Sequence, residues 1–274
     1  MKISVSRYAL TSLLLVVALA LLSYLLGLVL PLNTEFFAFP MNLILLLLWL
    51  WGTVELYRSR ECNVVSRYLL SRAATVTSVV LLAVWMVVFG LQRKPTVDSY
   101  LFVATTLFVT TQIGMVTLRG WRNGGGVRWI FTLCHVGMLF VLLSGLWGAP
   151  DMRIVRAKVG AEPSREAFMS DGRAVMLDYE LSLSELNIDY YSSGVPSRYD
   201  AVVEVDGRKV SVAVNHPQRV AFCEYLYLAS VDSQQQSNYC IVQIVRQPWQ
   251  WMMFVGIVLL IFGAVLMFIR GPRR

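Results

Sequence analysis

Trp129-Ile-Phe-Thr-Leu-Cys-His-Val-Gly-Met-Leu-Phe-Val-Leu-Leu-Ser-Gly-Leu-Trp147 is an apolar run with one ionisable side chain, His135, inside it. About 20 apolar residues cross the hydrocarbon of a bilayer as a helix, so the run reads as a membrane span. An ionisable group at that depth is costly and faces protein, a polar cavity or a ligand. Neutral imidazole is a common metal ligand, which makes His135 the leading candidate for a functional residue. The competing reading is a buried histidine that bonds a backbone carbonyl one turn away. The residues alone do not choose between the two.

Working outward, similar runs occur at 8–30, 37–57, 73–91, 100–118 and 251–269. With 57% hydrophobic residues and a mean hydropathy of +0.60, the chain exceeds what one soluble core requires, and the excess is segregated into these runs. The expectation is a polytopic α-helical membrane protein with about six spans. Six spans place both termini on one side. Lys2, Arg7, Arg58, Arg60, Arg67, Arg72, Arg119, Arg122, Arg128, Arg270, Arg273 and Arg274 fall on that side, and only Arg93 and Lys94 of the connecting segments fall on the other. The positive-inside rule then makes both termini cytoplasmic. The first run is too long for the apolar core of a cleaved signal peptide and lacks a small-residue cleavage site before Pro31, so it reads as a retained helix.

Character changes between residues 149 and 247. This segment carries a net charge of −3, against +10 for the rest, so the basic balance reflects topology and not nucleic-acid binding. Roughly 100 residues suffice for a small domain. Short stretches at 175–183, 187–191, 199–205, 209–215, 222–229 and 239–245 are rich in Val, Ile, Tyr and Leu and broken by turn residues. Asp206-Gly207, between alternating Val203-Glu-Val and Val210-Ser-Val, suits a type I′ hairpin turn. The expected organisation is a membrane domain at 1–148 with five helices, an extracytoplasmic antiparallel β-rich domain at 149–247, and a final helix with a basic tail at 248–274. The inner face of the β-domain should include Val203, Val205, Val210, Val212, Val214, Tyr225 and Tyr227. Asn123-Gly-Gly-Gly126 reads as a short cytoplasmic turn.

Cys62 in a cytoplasmic loop and Cys134 within a span should be reduced. Cys223 and Cys240 fall on consecutive strands flanking the 232–238 loop, a placement open to a cross-strand disulfide or to two buried thiols. No Cys-x-x-Cys is present, and no Walker loop, His-Glu-x-x-His, Gly-x-Ser-x-Gly or dinucleotide fingerprint. Two histidines cannot build a His-rich zinc site, and deep carboxylates of the kind proton-coupled transporters use are lacking. Nothing in these motifs argues for an enzyme, and the expectation is a non-catalytic subunit.

Thr105, Thr106, Thr110, Thr111 and Gln112 could line a path opposite His135, or bond neighbouring helices. Met138, one turn beyond His135, could touch a bound macrocycle or simply pack. Gly137, Ser144 and Gly148 favour close helix approach. Trp147, Trp249 and Trp251 suit an interfacial belt. His216, in Asn215-His-Pro217, reads chiefly as a turn residue and secondarily as a ligand.

The string Cys134-His-Val-Gly-Met-Leu-Phe-Val-Leu-Leu-Ser-Gly145 is followed by Ile188-Asp-Tyr-Tyr-Ser-Ser-Gly-Val-Pro-Ser-Arg-Tyr199, Asp206-Gly207, Val214-Asn-His-Pro217 and Tyr225-Leu-Tyr-Leu-Ala-Ser230. The series closes with Ile244-Val-Arg-Gln-Pro-Trp249 before the last span. In order and spacing these strings resemble the ResB-like family of cytochrome c biogenesis proteins (System II), from about Phe131 onward. The resemblance implies a subunit of an inner-membrane cytochrome c synthase that assists haem export and attachment to apocytochrome c. Its partner would be a second membrane subunit with a Trp-rich, Asp-ending haem-handling motif, which this chain lacks. His135 would match the family's membrane histidine, a ligand for transiently bound haem b roughly 10 Å from the cytoplasmic edge. Other readings are a membrane scaffold or sensor whose β-domain binds an envelope partner without haem, and a b-type electron carrier. The last normally needs paired histidines in the membrane.

Overall fold

The structure is a computed structural model that describes residues 2–30, 32–91, 99–122, 128–193, 196–231 and 239–270. Arg93, Lys94, the 123–126 turn, the 232–238 loop, Arg273 and Arg274 lie outside these residues, as does Pro31. The chain divides into two compact units, Met1–Pro150 with Trp249–Arg274, and Asp151–Pro248.

The first unit is helical: α1 (Lys2–Val29), α2 (Met41–Arg58), α3 (Val64–Leu69), α4 (Arg72–Leu91), α5 (Tyr100–Arg122), α6 (Trp129–Gly148) and α7 (Gln250–Arg270). Among the described residues five helices are long and apolar enough to cross a membrane, within Leu10–Val29, Arg72–Leu91, Tyr100–Trp121, Trp129–Asp151 and Gln250–Arg270. The run expected to span at 37–57 becomes α2, which starts only at Met41 and carries Asn42, Glu55 and Arg58. At 1.5 Å per residue its 18 residues reach about 27 Å, just short of a typical hydrocarbon core.

Helix α5 is the centre of this unit. More than half of its span is buried, against under a quarter for the other four candidates. Its buried face is polar, so each polar group needs a partner. Thr105, Thr110, Thr111 and Thr117 donate to carbonyls one turn back, at 2.7, 2.9, 2.7 and 2.7 Å. Two of these side chains and Gln112 also bond neighbours: Trp85 Nε1 donates to Thr105 Oγ1 at 2.8 Å, Trp49 Nε1 to Thr111 Oγ1 at 3.0 Å, and Gln112 Nε2 to Thr75 Oγ1 at 2.9 Å. The Thr/Gln row therefore ties α5 to α2 and α4.

Helices α6 and α7 meet through small residues. A Cβ on Gly137 would stand 2.8 Å from the Gly256 carbonyl oxygen, and a Cβ on Gly263 2.6 Å from Cys134 Sγ. Gly148 gives the same closeness to Trp249, whose Cβ lies 2.6 Å from where a side chain would start.

The second unit is one antiparallel sheet of eight strands in the order β5-β4-β3-β2-β1-β8-β7-β6. The strands are β1 (Arg153–Val159), β2 (Ser164–Met169), β3 (Ala174–Tyr190), β4 (Pro196–Val205), β5 (Arg208–Ala213), β6 (Gln218–Ala221), β7 (Glu224–Val231) and β8 (Cys240–Arg246). First and last strands pair along their whole length, from Arg153↔Arg246 to Val159↔Cys240. β4 and β5 also pack against β7, which curls the sheet over its core. That core holds Val155, Ala157, Val159, Leu181, Val203, Val212, Leu226 and Val242. Asp206 at φ +47° and Gly207 at φ +77° make the two-residue turn between β4 and β5 that the sequence predicts.

Several expectations need correction. The stretches 175–183 and 187–191 are one 17-residue strand, β3, whose register shifts between Leu183 and Glu185. β1 and β2 lie where no strand is predicted. Tyr225 and Tyr227 do not face the core: Leu226 and Leu228 do, because alternation starts one residue later, after Cys223 turns the chain at φ +56°. Val214 is exposed beyond the end of β5. No disulfide joins Cys223 and Cys240, and both are free and buried. In the β7–β8 ladder Glu224, next to Cys223, faces Arg246, while Cys240 faces Val231. Seven residues of strand, roughly 23 Å, lie between the two ends, far beyond the Cα separation a disulfide tolerates.

Burial pushes the Cys240 thiol up to about 11. A raised value keeps the group protonated below that pH, so at pH 8 only about a thousandth is thiolate. Alkylation of the native protein at pH 8 should therefore label exposed Cys62 and leave Cys240 unmodified. After denaturation without reductant all four cysteines should label. A linked 223/240 peptide pair would overturn the register of the β7–β8 ladder.

Candidate functional site

Six residues separate His135 from Trp129 at the start of α6, about 9 Å along the axis. Its ring is half-buried. The α7-packed side of α6 is marked by Leu133, Cys134, Gly137, Phe140 and Val141. His135, two residues before Gly137, points away from that side, since two residues turn a helix by about 200°.

Two contacts fix the imidazole. Nδ1 lies 2.9 Å from the carbonyl oxygen of Phe131, one turn back. A carbonyl only accepts, so Nδ1 carries the hydrogen in this bond, and in the neutral ring Nε2 keeps its lone pair. The Phe131 ring stacks on the imidazole at 3.8 Å between centroids. Room for Phe131 comes from α5, where a Cβ on Gly120 would stand 2.2 Å from its ring. The bond to a backbone carbonyl one turn away, one of the two sequence readings of His135, is thus present. The backbone bond fixes the ring, and a histidine held through Nδ1–H is oriented to ligate a metal through Nε2. Nε2 has no hydrogen-bond partner among the described residues.

The other candidates distribute as follows. Met138 is half-buried one turn further along α6. His216 is in the other unit, exposed in the turn after β5, where its N–H donates to the Ala213 carbonyl at 3.1 Å and Asn215 sits at φ +62°. In the Thr/Gln row of α5, Thr105, Thr110, Thr111 and Gln112 are engaged by bonds to α2, α4 or their own backbone. A cavity of about 280 Å³ touches α6 at Gly145, Leu146 and Trp147, ten or more residues beyond His135. Among the described residues no three His, Cys, Asp or Glu side chains group closely enough to hold a metal ion. Phe131 and Gly120 are not among the residues that the sequence singles out. Phe131 is four residues before His135, the helical spacing at which side chains meet, whereas nothing local marks Gly120.

Residues 122–239 match the model of the ResB-like family. The chain carries a ResB-like segment. It takes in α6 with His135 and β1–β7, including the strings at 134–145, 188–199, 214–217 and 225–230; the 244–249 string follows it. No curated protein matches the chain. Among solved structures, one titled Cytochrome c Heme Lyase CcmF aligns at 12% identity with a TM-score of 0.33, over 70% of this chain and 33% of that one. This chain therefore spans about a third of that protein.

Proposed function

We propose that this chain is a subunit of a membrane machine for cytochrome c maturation, and that His135 is its ligand for haem iron. The observation that carries the reading is His135 itself: it sits in the ResB-like segment, inside a span candidate, fixed through Nδ1 and with Nε2 unengaged. The donor set would supply one ligand to iron, His135 Nε2. Phe131 adds a flat apolar surface beside the imidazole, and the Phe131 carbonyl holds the tautomer that ligation requires. No second histidine belongs to the helical unit, so any further iron ligand would come from a partner chain or from methionine. Bound haem would supply the iron that Nε2 ligates and the group that becomes attached to apocytochrome c. The β-rich unit would hold apocytochrome or brace the partner.

In this reading α2 crosses the inner membrane as a sixth span, both termini are cytoplasmic and the β-rich unit is extracytoplasmic. The twelve-to-two distribution of Lys and Arg supports it. A cysteine placed at Asp206 should react with a membrane-impermeant maleimide from outside, and one at Asn123 only after the inner face is opened. The reverse pattern would move the β-rich unit to the cytosol.

The function itself is tested by co-purification. Tagged chain should bring down a membrane protein with a Trp-rich, Asp-ending motif, and the complex should give a pyridine haemochrome spectrum. Purification alone and free of haem, together with normal holocytochrome c in cells lacking the chain, would favour the scaffold reading.

A further inference from the structure

We infer that Arg153 and Arg246 bind a phosphate group, supplied by a phospholipid headgroup or as free phosphate. The two arginines are directly opposite on neighbouring strands, and Arg246 in turn faces Glu224. The row Arg153–Arg246–Glu224 runs parallel to the buried row Val155–Ile244–Leu226, two residues along each strand. All three charged side chains therefore start from the core face of the sheet, at its end. Directly opposed residues hold their Cβ atoms about 5 Å apart, and like charges so placed are destabilising. Something anionic between them removes that cost.

Protein groups do not fill this role. Among the described residues neither guanidinium has an ion pair or hydrogen bond. Two carboxylates, Asp178 and Glu224, also line the space between them, and Glu224 accepts a hydrogen bond from the buried hydroxyl of Tyr179. Burial and then Glu224 itself hold the Tyr179 phenol above its ordinary range, so it stays a donor. Arg153, Val155, Tyr179, Glu224, Ile244 and Arg246 line a pocket of about 90 Å³, room for about three waters or one tetrahedral oxyanion. Two planar guanidinium forks suit one phosphate, whose oxygens can take both at once. Along the chain Arg153 follows the span candidate ending at Asp151 by two residues, and Arg246 precedes the one starting at Gln250 by four. A headgroup phosphate is thus within the chain's reach.

Native mass spectrometry of the full-length chain released from detergent tests the site. Phosphatidylglycerol should be retained at least about tenfold over a phosphate-free galactolipid, in keeping with two charge-assisted bonds. The double variant Arg153→Gln/Arg246→Gln should erase that preference with unchanged thermal unfolding, while Arg156→Gln, on the other face of β1, keeps it. If the double variant misfolds, Arg246→Lys decides: it keeps the charge, loses the fork and should lower retention several-fold. Inorganic phosphate bound by the wild type and lost in the variant, without phospholipid preference, would assign the site to free phosphate. Absence of both forms of binding, or equal loss in Arg156→Gln, would overturn the inference.

Discussion

His135→Ala should lower the haem recovered with the purified complex by roughly tenfold or more, and holocytochrome c in cells in parallel, while chain level and partner association stay near wild type. Loss of even an outer partner of a metal-ligating histidine costs about 10–100-fold in metal affinity, and here the ligand itself is removed. Protein level should survive because the ring is only half-buried and its one hydrogen bond is to its own helix. Imidazole added to the variant should restore part of the haem by filling the vacated position. His216→Ala, in an exposed turn of the other unit, should change haem content by less than about twofold, as expected of a surface substitution. Wild-type haem and cytochrome maturation in an abundant His135→Ala protein would sink the ligand assignment and leave the backbone bond to Phe131 as the whole role of the imidazole.

What the sequence discloses and what it hides follow physical lines. Five of the six long apolar runs, the Asp206-Gly207 turn and the alternation of β4 and β5 are local signals that appear in the structure where the sequence places them, while the run at 37–57 forms the shorter α2. Strand β1 carries a local signal of its own, since Val155-Arg-Ala-Lys-Val159 alternates apolar with basic residues, whereas β2 escapes because Ser164-Arg-Glu-Ala-Phe-Met169 is half polar and does not alternate. They become strands because β8 and β3 offer them ladders, a tertiary effect. The inner face of β7 is misread by one residue because Cys223 takes a left-handed turn that no residue preference marks. At the site, His135 is legible from its type and depth alone. Gly120, which clears the space for Phe131, acts across a helix pair and has no sequence signature.

The Gly137–Gly256 contact should be the most sensitive point of the helical unit. Each glycine faces the other's carbonyl: a Cβ on Gly137 would stand 2.8 Å from Gly256 O and 2.9 Å from Leu260 N, and a Cβ on Gly256 would stand 2.8 Å from Gly137 O. These obstacles are backbone atoms, so no rotamer change relieves them, and α6 and α7 must separate. In a bilayer helices associate through close packing, with no hydrophobic drive between them, so the separation forfeits dispersion contacts along the seam. Gly137→Ala should therefore destabilise the detergent-solubilised protein by about 1–3 kcal/mol, the usual cost of overpacking, and Gly137→Leu should abolish accumulation. Gly145→Ala supplies the contrast. It lies on the same helix with nothing within 4 Å of its Cβ, so it should be neutral or stabilising by up to about 1 kcal/mol through helix propensity. The double change Gly137→Ala/Gly256→Ala should cost less than the two singles added, because helices already parted by the first accommodate the second. Thermal unfolding monitored by thiol labelling of Cys134, which sits against Gly263 in the same seam, reads the separation directly. Equal melting of the Gly137 and Gly145 variants would mean that α6 and α7 do not pack through this glycine contact.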